Sequence, residues 1–290
     1  MRQTMTRRSA LYYAAGGLAL SACTADTSKP APTTDVAAPV TPPAAAPLTQ
    51  TEGRFSLYIS NHRPLAMLAL DDNIPVPVMF DTGTSGNMIG RSVFDKLGLT
   101  RKANHVSFTT DATGTTIEGF AAQVDAPRLG TVVAAAQGID VLDYQDGDEY
   151  GIIGPNLFRG SAVYMNMPKQ SVYVRQAFHS AVETPDAYPY GDEKTDDLPY
   201  APIFIDGLPE MRGLIDSGKN GVMSFPEAMM DSLPLVGRPE QVGMATTVFK
   251  TVPVYGAKLD ASVRVGTHTI VRPDVIFHGH SPKIGMPFLE

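Results

Sequence analysis

The sequence predicts a mainly β protein made of two similar units. One observation is an internal repeat: residues 80–86 (FDTGTSG) recur as residues 215–221 (IDSGKNG). Each copy follows a short apolar run, so each aspartate is expected where a buried strand breaks into a glycine-rich turn. The other observation is that short apolar runs bounded by Gly, Pro, Asp and Asn recur along most of the chain, as β-strands do.

The repeat extends well beyond the two acids. Counting from each Asp, glycine falls at the second and fifth following positions and methionine at the seventh. An apolar residue followed by glycine comes later in both copies, with 73 residues from Asp81 to Gly154 and 69 from Asp216 to Gly285. Two matched units of this kind indicate a duplicated architecture.

The first unit divides into strands, one short helix and two hairpins. Residues 54–80 have strand patterns, since Phe55, Leu57 and Ile59 alternate with other residues and apolar runs follow. Residues 91–97 form a predicted helix that Gly98 ends. Residues 105–120 and 162–174 have the pattern of hairpins. The turn of the first hairpin is predicted at Asp111, Ala112, Thr113 and Gly114.

The second unit repeats this plan but stops early. A helix is predicted at residues 226–233, and strands follow it up to Gly285. The first unit continues with a hairpin after Gly154, whereas almost no chain follows Gly285. Two explanations are open: another segment, such as residues 54–60, completes that sheet, or the second unit is smaller.

The N-terminus has the pattern of an export signal. Residues 1–22 combine three arginines with a short apolar run and a small-residue ending, and Cys23 follows. The ending resembles the lipobox of bacterial lipoproteins, in which the cysteine is acylated; a plain signal peptide is the alternative. Cys23 is the single cysteine of the chain, which favours an anchor over a disulfide. Residues 23–52, rich in Pro, Ala and Thr, are expected to form an extended tether.

The repeated turns resemble those of the aspartic proteases of the pepsin and retropepsin type. Each lobe of that family has an apolar-Asp-Thr/Ser-Gly turn and a later apolar-apolar-Gly strand. Residues 80–83 with 152–154 fit this pattern closely, and residues 215–218 with 284–285 fit it more loosely. The resemblance implies two similar β-barrel lobes with short helices and an active-site cleft between them.

In terms of this chain, the implied lobes are residues 53–178 and 199–290, joined by a linker at 179–198. The hairpin turn formed by residues 111–114 would be the flap that closes over substrate. Flaps of the pepsin type carry a tyrosine, and this hairpin has none.

Two carboxyl groups close together can carry out peptide hydrolysis. They cannot both ionise easily, so they share a proton, and one acts as base while the other acts as acid. Asp81 and Asp216 are the predicted catalytic pair. Five residues are expected to support them: Thr82 and Ser217 by hydrogen bonds between the turns, Gly83 and Gly218 by close backbone approach, and Thr84 by bonding the outer carboxylate oxygen.

Lys219 departs from the family pattern, which has Ser or Thr at its position. A lysine ammonium about 4 Å from the acids could contribute up to about 4 kcal/mol, enough to favour two ionised carboxylates. Alternatively, the long side chain turns its charge to water. Lys283 also replaces an apolar residue. The competing hypothesis is therefore a non-catalytic peptide-binding lipoprotein with a degenerate second lobe.

Composition excludes several other classes of function. Removal of residues 1–22 changes the net charge from −7 to −10, so nothing favours binding to nucleic acid. No cofactor is expected, because phosphate-binding and dinucleotide-binding motifs are lacking. No metal is expected either, since His278 and His280 fit a loop before Pro282 better than a ligand pair. The predicted partners are a peptide or protein substrate and, through Cys23, the membrane. The predicted location is the bacterial cell envelope, facing the periplasm, and a monomer suffices because one chain carries both acids.

Overall fold

The computed structural model describes residues 52–71, 74–110, 116–143, 149–176, 186–188, 190, 198–246 and 251–290. Within these residues the protein is mainly β, which confirms the predicted fold class. No helix in this part of the chain has the length and apolar character needed to cross a membrane. The predicted signal, most of the tether and most of the linker lie outside the described residues.

The first half of the described chain contains thirteen strands. They are β1 (Glu52–Ser56), β2 (Tyr58–Ser60), β3 (Arg63–Ala69), β4 (Val76–Phe80), β5 (Met88–Gly90), β6 (Thr100–Thr110), β7 (Thr116–Val124), β8 (Arg128–Leu129), β9 (Val132–Val133), β10 (Gln137–Leu142), β11 (Gly151–Ile153), β12 (Ser161–Asn166) and β13 (Ser171–Gln176).

The second half of the described chain contains nine strands. They are β14 (Tyr200–Ile205), β15 (Met211–Ile215), β16 (Met223–Phe225), β17 (Leu235–Thr246), β18 (Thr251–Leu259), β19 (Ser262–Val265), β20 (His268–Val271), β21 (Asp274–Phe277) and β22 (Lys283–Ile284). Two α-helices, α1 (Arg91–Leu97) and α2 (Met286–Leu289), and two 3-10 turns, Pro155–Phe158 and Glu227–Met229, complete the elements.

Two large sheets contain most of these strands, and they share one strand order. The first runs β6-β7-β10-β5-β11-β4-β3-β8-β9, with β2 paired to β3. The second runs β17-β18-β21-β16-β22-β15-β14-β19-β20. At equivalent places, β11 lies parallel to β4 and β22 lies parallel to β15. The sequence repeat therefore corresponds to a repeated arrangement of strands around the two acid-bearing turns.

Each large sheet has its own hydrophobic core. One cluster of buried side chains is drawn from residues 55–174 and includes Phe80 and Ile153. The other is drawn from residues 201–284 and includes Ile215 and Ile284. Met286 of helix α2 joins the first cluster although it follows the last strand of the second sheet. The end of the chain thus packs against the first half.

One helix prediction is confirmed, and the other is wrong. Helix α1 covers Arg91–Leu97 and ends at Gly98, whose φ of 63° is the left-handed conformation that glycine adopts easily. In place of the helix predicted at residues 226–233 there is only the 3-10 turn Glu227–Met229. Pro226 lies outside the turn with a ψ of 145°, and Pro234 disfavours helical geometry at Leu233, so less than two helical turns remain between them.

Both predicted hairpins of the first half are present. Strands β6 and β7 pair antiparallel with Thr110 opposite Thr116, and β12 and β13 pair with Asn166 opposite Ser171. Strand β1 pairs with β13, so the third sheet has the order β1-β13-β12 and consists of first-half strands alone. Of the two explanations for the short second unit, this pairing favours a smaller unit over one completed by residues 54–60.

Candidate active site

The two acid-bearing turns begin at equivalent places in the two sheets. Asp81 directly follows β4 and Asp216 directly follows β15. The backbone N–H of Asp81 donates to the carbonyl of Ile153 at 2.9 Å, and that of Asp216 donates to the carbonyl of Ile284 at 2.8 Å. Each apolar-Gly strand therefore lies beside one acid and fixes where its turn begins.

Four hydrogen bonds made by Thr82 and Ser217 connect each turn to the other. The hydroxyl of Thr82 donates to the carbonyl of Ile215 at 2.6 Å, and the hydroxyl of Ser217 donates to the carbonyl of Phe80 at 2.7 Å. Ser217 Oγ accepts from the N–H of Thr82 at 3.0 Å, and Thr82 Oγ1 accepts from the N–H of Ser217 at 2.9 Å. This reciprocal arrangement matches the hydrogen bonding predicted for Thr82 and Ser217.

The turns approach so closely that each acid lies against the other turn's glycine. A Cβ placed on Gly83 would lie 2.5 Å from Cγ of Asp216, and one placed on Gly218 would lie 2.5 Å from Cγ of Asp81. Both separations are shorter than any contact a real side chain tolerates, so only glycine fits at these two positions. The structure therefore brings Asp81 and Asp216 together, whereas two Asp-x-Gly motifs that served only as separate sheet turns would lie apart.

The backbone amides do not serve the two acids equally. The N–H groups of Gly83 and Gly218 both donate to Asp81 Oδ1, at 2.7 and 3.1 Å. The role expected of Thr84 is wrong, because its hydroxyl bonds Gly86 instead, donating to the carbonyl at 3.0 Å and accepting from the N–H at 3.3 Å. A turn that closes on itself in this way satisfies the Thr84 hydroxyl without the carboxylate.

Lys283, which was not among the predicted site residues, is the nearest cation to the pair. Its Nζ donates to Asp216 Oδ2 at 2.8 Å, and the two side chains are only 7% and 3% exposed. Lys283 on β22 lies opposite Leu214 of β15. Ile152 on β11 occupies the equivalent position in the first half, opposite Met79 of β4. The signal was visible in the sequence as a lysine within an apolar strand, a place where a charge requires a partner.

The surroundings move the two acids in opposite directions. Burial and the negative charge of Asp216 raise the pKa of Asp81 well above its usual value, against the opposing effects of the Gly83 amide and Lys283. Burial also acts to raise the pKa of Asp216, but Lys283, Lys219 and a hydrogen bond from Asp81 outweigh it and lower the pKa. The arrangement thus favours one proton on the pair, carried by Asp81.

Lys219 neither faces the acids directly nor turns its charge to water. It is buried, with 7% of its surface exposed, and its Nζ lies 3.2 Å from Nε2 of His278. Burial lowers the pKa of Lys219 to about 7 although the charge of Asp216 opposes this, and the charge of Lys283 lowers it further. Burial, followed by the charges of Lys219 and Lys283, lowers the pKa of His278 to about 3. The imidazole is therefore neutral, and while Lys219 carries its charge the ammonium donates to Nε2 of His278.

Two groups of predicted residues lie outside the described part of the chain. They are the lipidation site Cys23 and the flap turn at residues 111–114. Among the residues that the structure describes, no group of three or more His, Cys, Asp or Glu side chains could hold a metal ion. His278 instead packs beside Lys219.

Comparison with known proteins supports an aspartic-protease function in general terms. A family model described as aspartyl protease matches residues 66–157. This span contains Asp81, its turn and strand β11, which are the parts of the first half that form the site. No curated protein matches the chain.

Proposed function

We propose that this protein is a bilobed aspartic endopeptidase that hydrolyses peptide bonds in polypeptides. The observation that carries the proposal is the crossing of the two turns, which places Asp81 and Asp216 each against the glycine of the other turn. Four hydrogen bonds hold this arrangement: the hydroxyls of Thr82 and Ser217 each donate to a strand-end carbonyl of the other half, and each accepts the N–H of the other residue. Two carboxyl groups so placed can divide acid and base work between them.

The chemistry requires a single proton on the pair. One carboxylate takes a proton from water as the water oxygen adds to the peptide carbonyl carbon, and the other carboxyl gives its proton to the carbonyl oxygen. Collapse of the resulting diol breaks the C–N bond after the nitrogen has received a proton from the first carboxyl. The second then recovers a proton from a diol hydroxyl, so the pair returns to its starting state.

The location is part of the proposal. An acylated Cys23 at the end of the export signal would anchor the protein to the bacterial cell envelope, and residues 23–52 would hold the folded part away from the membrane. Substrates would then be polypeptides of the periplasm. Because one chain carries both acids, a monomer suffices for this activity.

A second candidate function is supported by the burial of the pair together with Lys283. Asp81 and Asp216 are only 1% and 2% exposed, and the Lys283 ammonium is bonded to Asp216. A closed ion pair of this kind also suits a protein that keeps the fold and binds peptides without cutting them. The two candidates differ in turnover, which can be measured directly.

The deciding experiment is cleavage of a mixed peptide library by the full-length protein between pH 3 and 9. Asp81→Asn and Asp216→Asn preserve the shape of each side chain while removing its ionisation, and Asp143→Asn, an exposed aspartate ion-paired with Arg91, is the matched control. We expect cleavage by the protein and by Asp143→Asn. In each variant of the Asp81–Asp216 pair, called the dyad below, kcat/KM should fall by at least about 10³-fold.

A statine-type inhibitor, which mimics the diol intermediate, should block the same cleavage. Cleavage that survives in both dyad variants would overturn the proposal. Peptide binding without turnover by folded protein would establish the non-catalytic alternative.

A further inference from the structure

Lys283 occupies a place where a positive charge has little contact with water. It lies on the short strand β22, between β15 and β16, in the middle of the second large sheet. Its side chain is 7% exposed, and its Nζ donates to Asp216 Oδ2 at 2.8 Å. Transfer of an unpaired ammonium into such surroundings costs several kcal/mol. The position therefore commits the ammonium to its carboxylate partner.

The two acids differ in which groups they bond. Asp81 Oδ1 accepts two backbone N–H groups, whereas Asp216 Oδ2 accepts the lysine. Asp216 Oδ1 is buried and accepts no N–H or hydroxyl donor in the part of the chain that the structure describes. A proton on the Asp81 carboxyl is left as a donor for it. The hydrogen-bonding pattern is thus complete when Asp216 is ionised and Asp81 is protonated.

The other charged and titratable groups beside Asp216 agree with this state. Lys219, on the same turn, lies close enough to favour the ionised form of Asp216. His278, which follows β21, remains neutral and bonds Lys219. Burial alone acts to raise the pKa of Asp216, whereas Lys283, Lys219 and the hydrogen bond from Asp81 all lower it. The first half offers no equivalent cation to Asp81, since Ile152 stands where Lys283 stands in the second.

We infer that Lys283 is a positioning residue of the dyad, which holds Asp216 ionised and so assigns the shared proton to Asp81. The inference rests on the proposed endopeptidase function and deepens it. Asp216 is then the base that takes the proton from water, and Asp81 is the acid that protonates the carbonyl oxygen. The ion pair makes the two acids unequal before any substrate binds.

The expected pH dependence of activity follows from the raised pKa of Asp81 and the lowered pKa of Asp216. The active state, with Asp216 ionised and Asp81 protonated, is lost at low pH as Asp216 gains a proton and at high pH as Asp81 loses one. Because the pKa of Asp216 is lowered and that of Asp81 is raised, the active state spans a wider pH range than it would if both carboxyls had their ordinary pKa values. Removal of the lysine charge should move the acidic limit upward, since Asp216 then binds a proton more readily.

The test compares pH profiles of kcat/KM for the full-length protein, Lys283→Met and a control. Met keeps the length of the side chain without its charge, and Lys283→Ile, which copies Ile152, is a second variant in case Met does not pack. Lys258→Met is the matched control, because Lys258, near the end of β18, forms an exposed ion pair with Asp274 of β21. We expect the ratio of kcat/KM at pH 4 to that at pH 6 to fall about tenfold or more in the Lys283 variants and to stay unchanged in Lys258→Met.

A second readout does not depend on turnover. Aspartate labelled with ¹³C at Cγ reports ionisation by NMR, and Asp81→Asn and Asp216→Asn identify the two resonances. In the wild-type protein the Asp216 carboxyl should ionise at lower pH than the Asp81 carboxyl, with a range between them in which Asp216 is ionised and Asp81 is protonated. The inference is overturned if Asp81 ionises before Asp216, or if the Lys283 variants keep the wild-type profile. Absence of cleavage together with the expected titration would overturn the endopeptidase proposal and leave the proton assignment standing.

Discussion

The two buried lysines near the dyad differ in their partners. Each stands where the equivalent turn or strand of the first half has an uncharged residue. Lys283 bonds a carboxylate, and Lys219 bonds a neutral imidazole. A lysine with an anionic partner keeps its charge inside a protein, whereas burial opposes the charge of one without such a partner. The pKa of Lys219, lowered to about 7, follows from this difference. Lys283 thus lies against its counter-charge, whereas Lys219 is the lysine whose charge is opposed by burial.

The buried ion pair leads to a stability prediction. Asp216→Asn leaves the Lys283 ammonium buried without a counter-charge, and we expect a loss of about 3 kcal/mol or more in the free energy of unfolding. Lys283→Met in the same chain removes that charge, so the double variant should recover most of the loss. Urea unfolding of the wild type, both single variants and the double variant measures the coupling. Additive losses would show that the pair contributes nothing as a pair.

Lys219 leads to a prediction about the acidic limb of the pH profile. Lys219→Met removes a charge that appears below about pH 7 and lowers the pKa of Asp216 from a distance. We expect the acidic limb of the pH profile to move upward less than in Lys283→Met, because Lys219 does not bond the carboxylate. A shift equal to or larger than that of Lys283→Met would mean that Lys219 is the stronger influence on the dyad.

At the scale of elements, the site depends on how closely strands β11 and β22 approach the turns. The N–H of Gly285, just after β22, donates to the carbonyl of Val222, and the N–H of Met286 donates to the carbonyl of Lys219. A Cβ on Gly285 would lie 1.9 Å from the carbonyl oxygen of Gly221. A backbone oxygen cannot move aside as the end of a flexible side chain can. Only glycine therefore allows the chain after β22 to lie this close to the turn that carries Asp216.

A pair of glycine substitutions tests that requirement. Gly285→Ala should destabilise the protein by about 3 kcal/mol or more, because the added methyl group overlaps the turn that carries Asp216. Gly138→Ala, on strand β10, is the control, since its Cβ would meet nothing closer than Ala121 Cβ at 3.6 Å. The midpoints of urea unfolding compare the two. Equal midpoints would mean that the turn relaxes without cost and that its geometry is not fixed by β22.

At the scale of the whole molecule, the two halves meet at the site and again at the chain end. The turns are joined by hydrogen bonds between Thr82 and Ser217, and Met286 of α2 packs into the core of the first half. His62 of the first half also bonds Glu290 through Nδ1 and Oε2 at 2.8 Å. Contacts at two separate places restrict the movement of one half against the other, which the paired acids require.

Export and anchoring are predictions at this same scale. Full-length protein expressed in a bacterium should incorporate radioactive palmitate and sediment with membranes, whereas Cys23→Ser should do neither. Cys23 is distant in sequence from both acids, so we expect cleavage by the released protein to be unchanged. Labelling that persists in Cys23→Ser would refute the lipid anchor at that cysteine.

The sequence alone determined the fold class, the paired turns, helix α1 and both hairpins of the first half. These depend on local signals: alternating apolar residues, glycine after a helix, and a repeated turn motif with matched spacing. The helix predicted at residues 226–233 was wrong, because Pro226 and Pro234 at its two ends leave less than two helical turns between them. The tertiary structure alone decided which cation reaches which acid. Lys219 adjoins an acid in sequence but bonds His278, while Lys283, distant in sequence, bonds Asp216 because β22 lies parallel to β15. Side-chain partners across a sheet depend on strand order and register, and no local pattern in this chain encodes them.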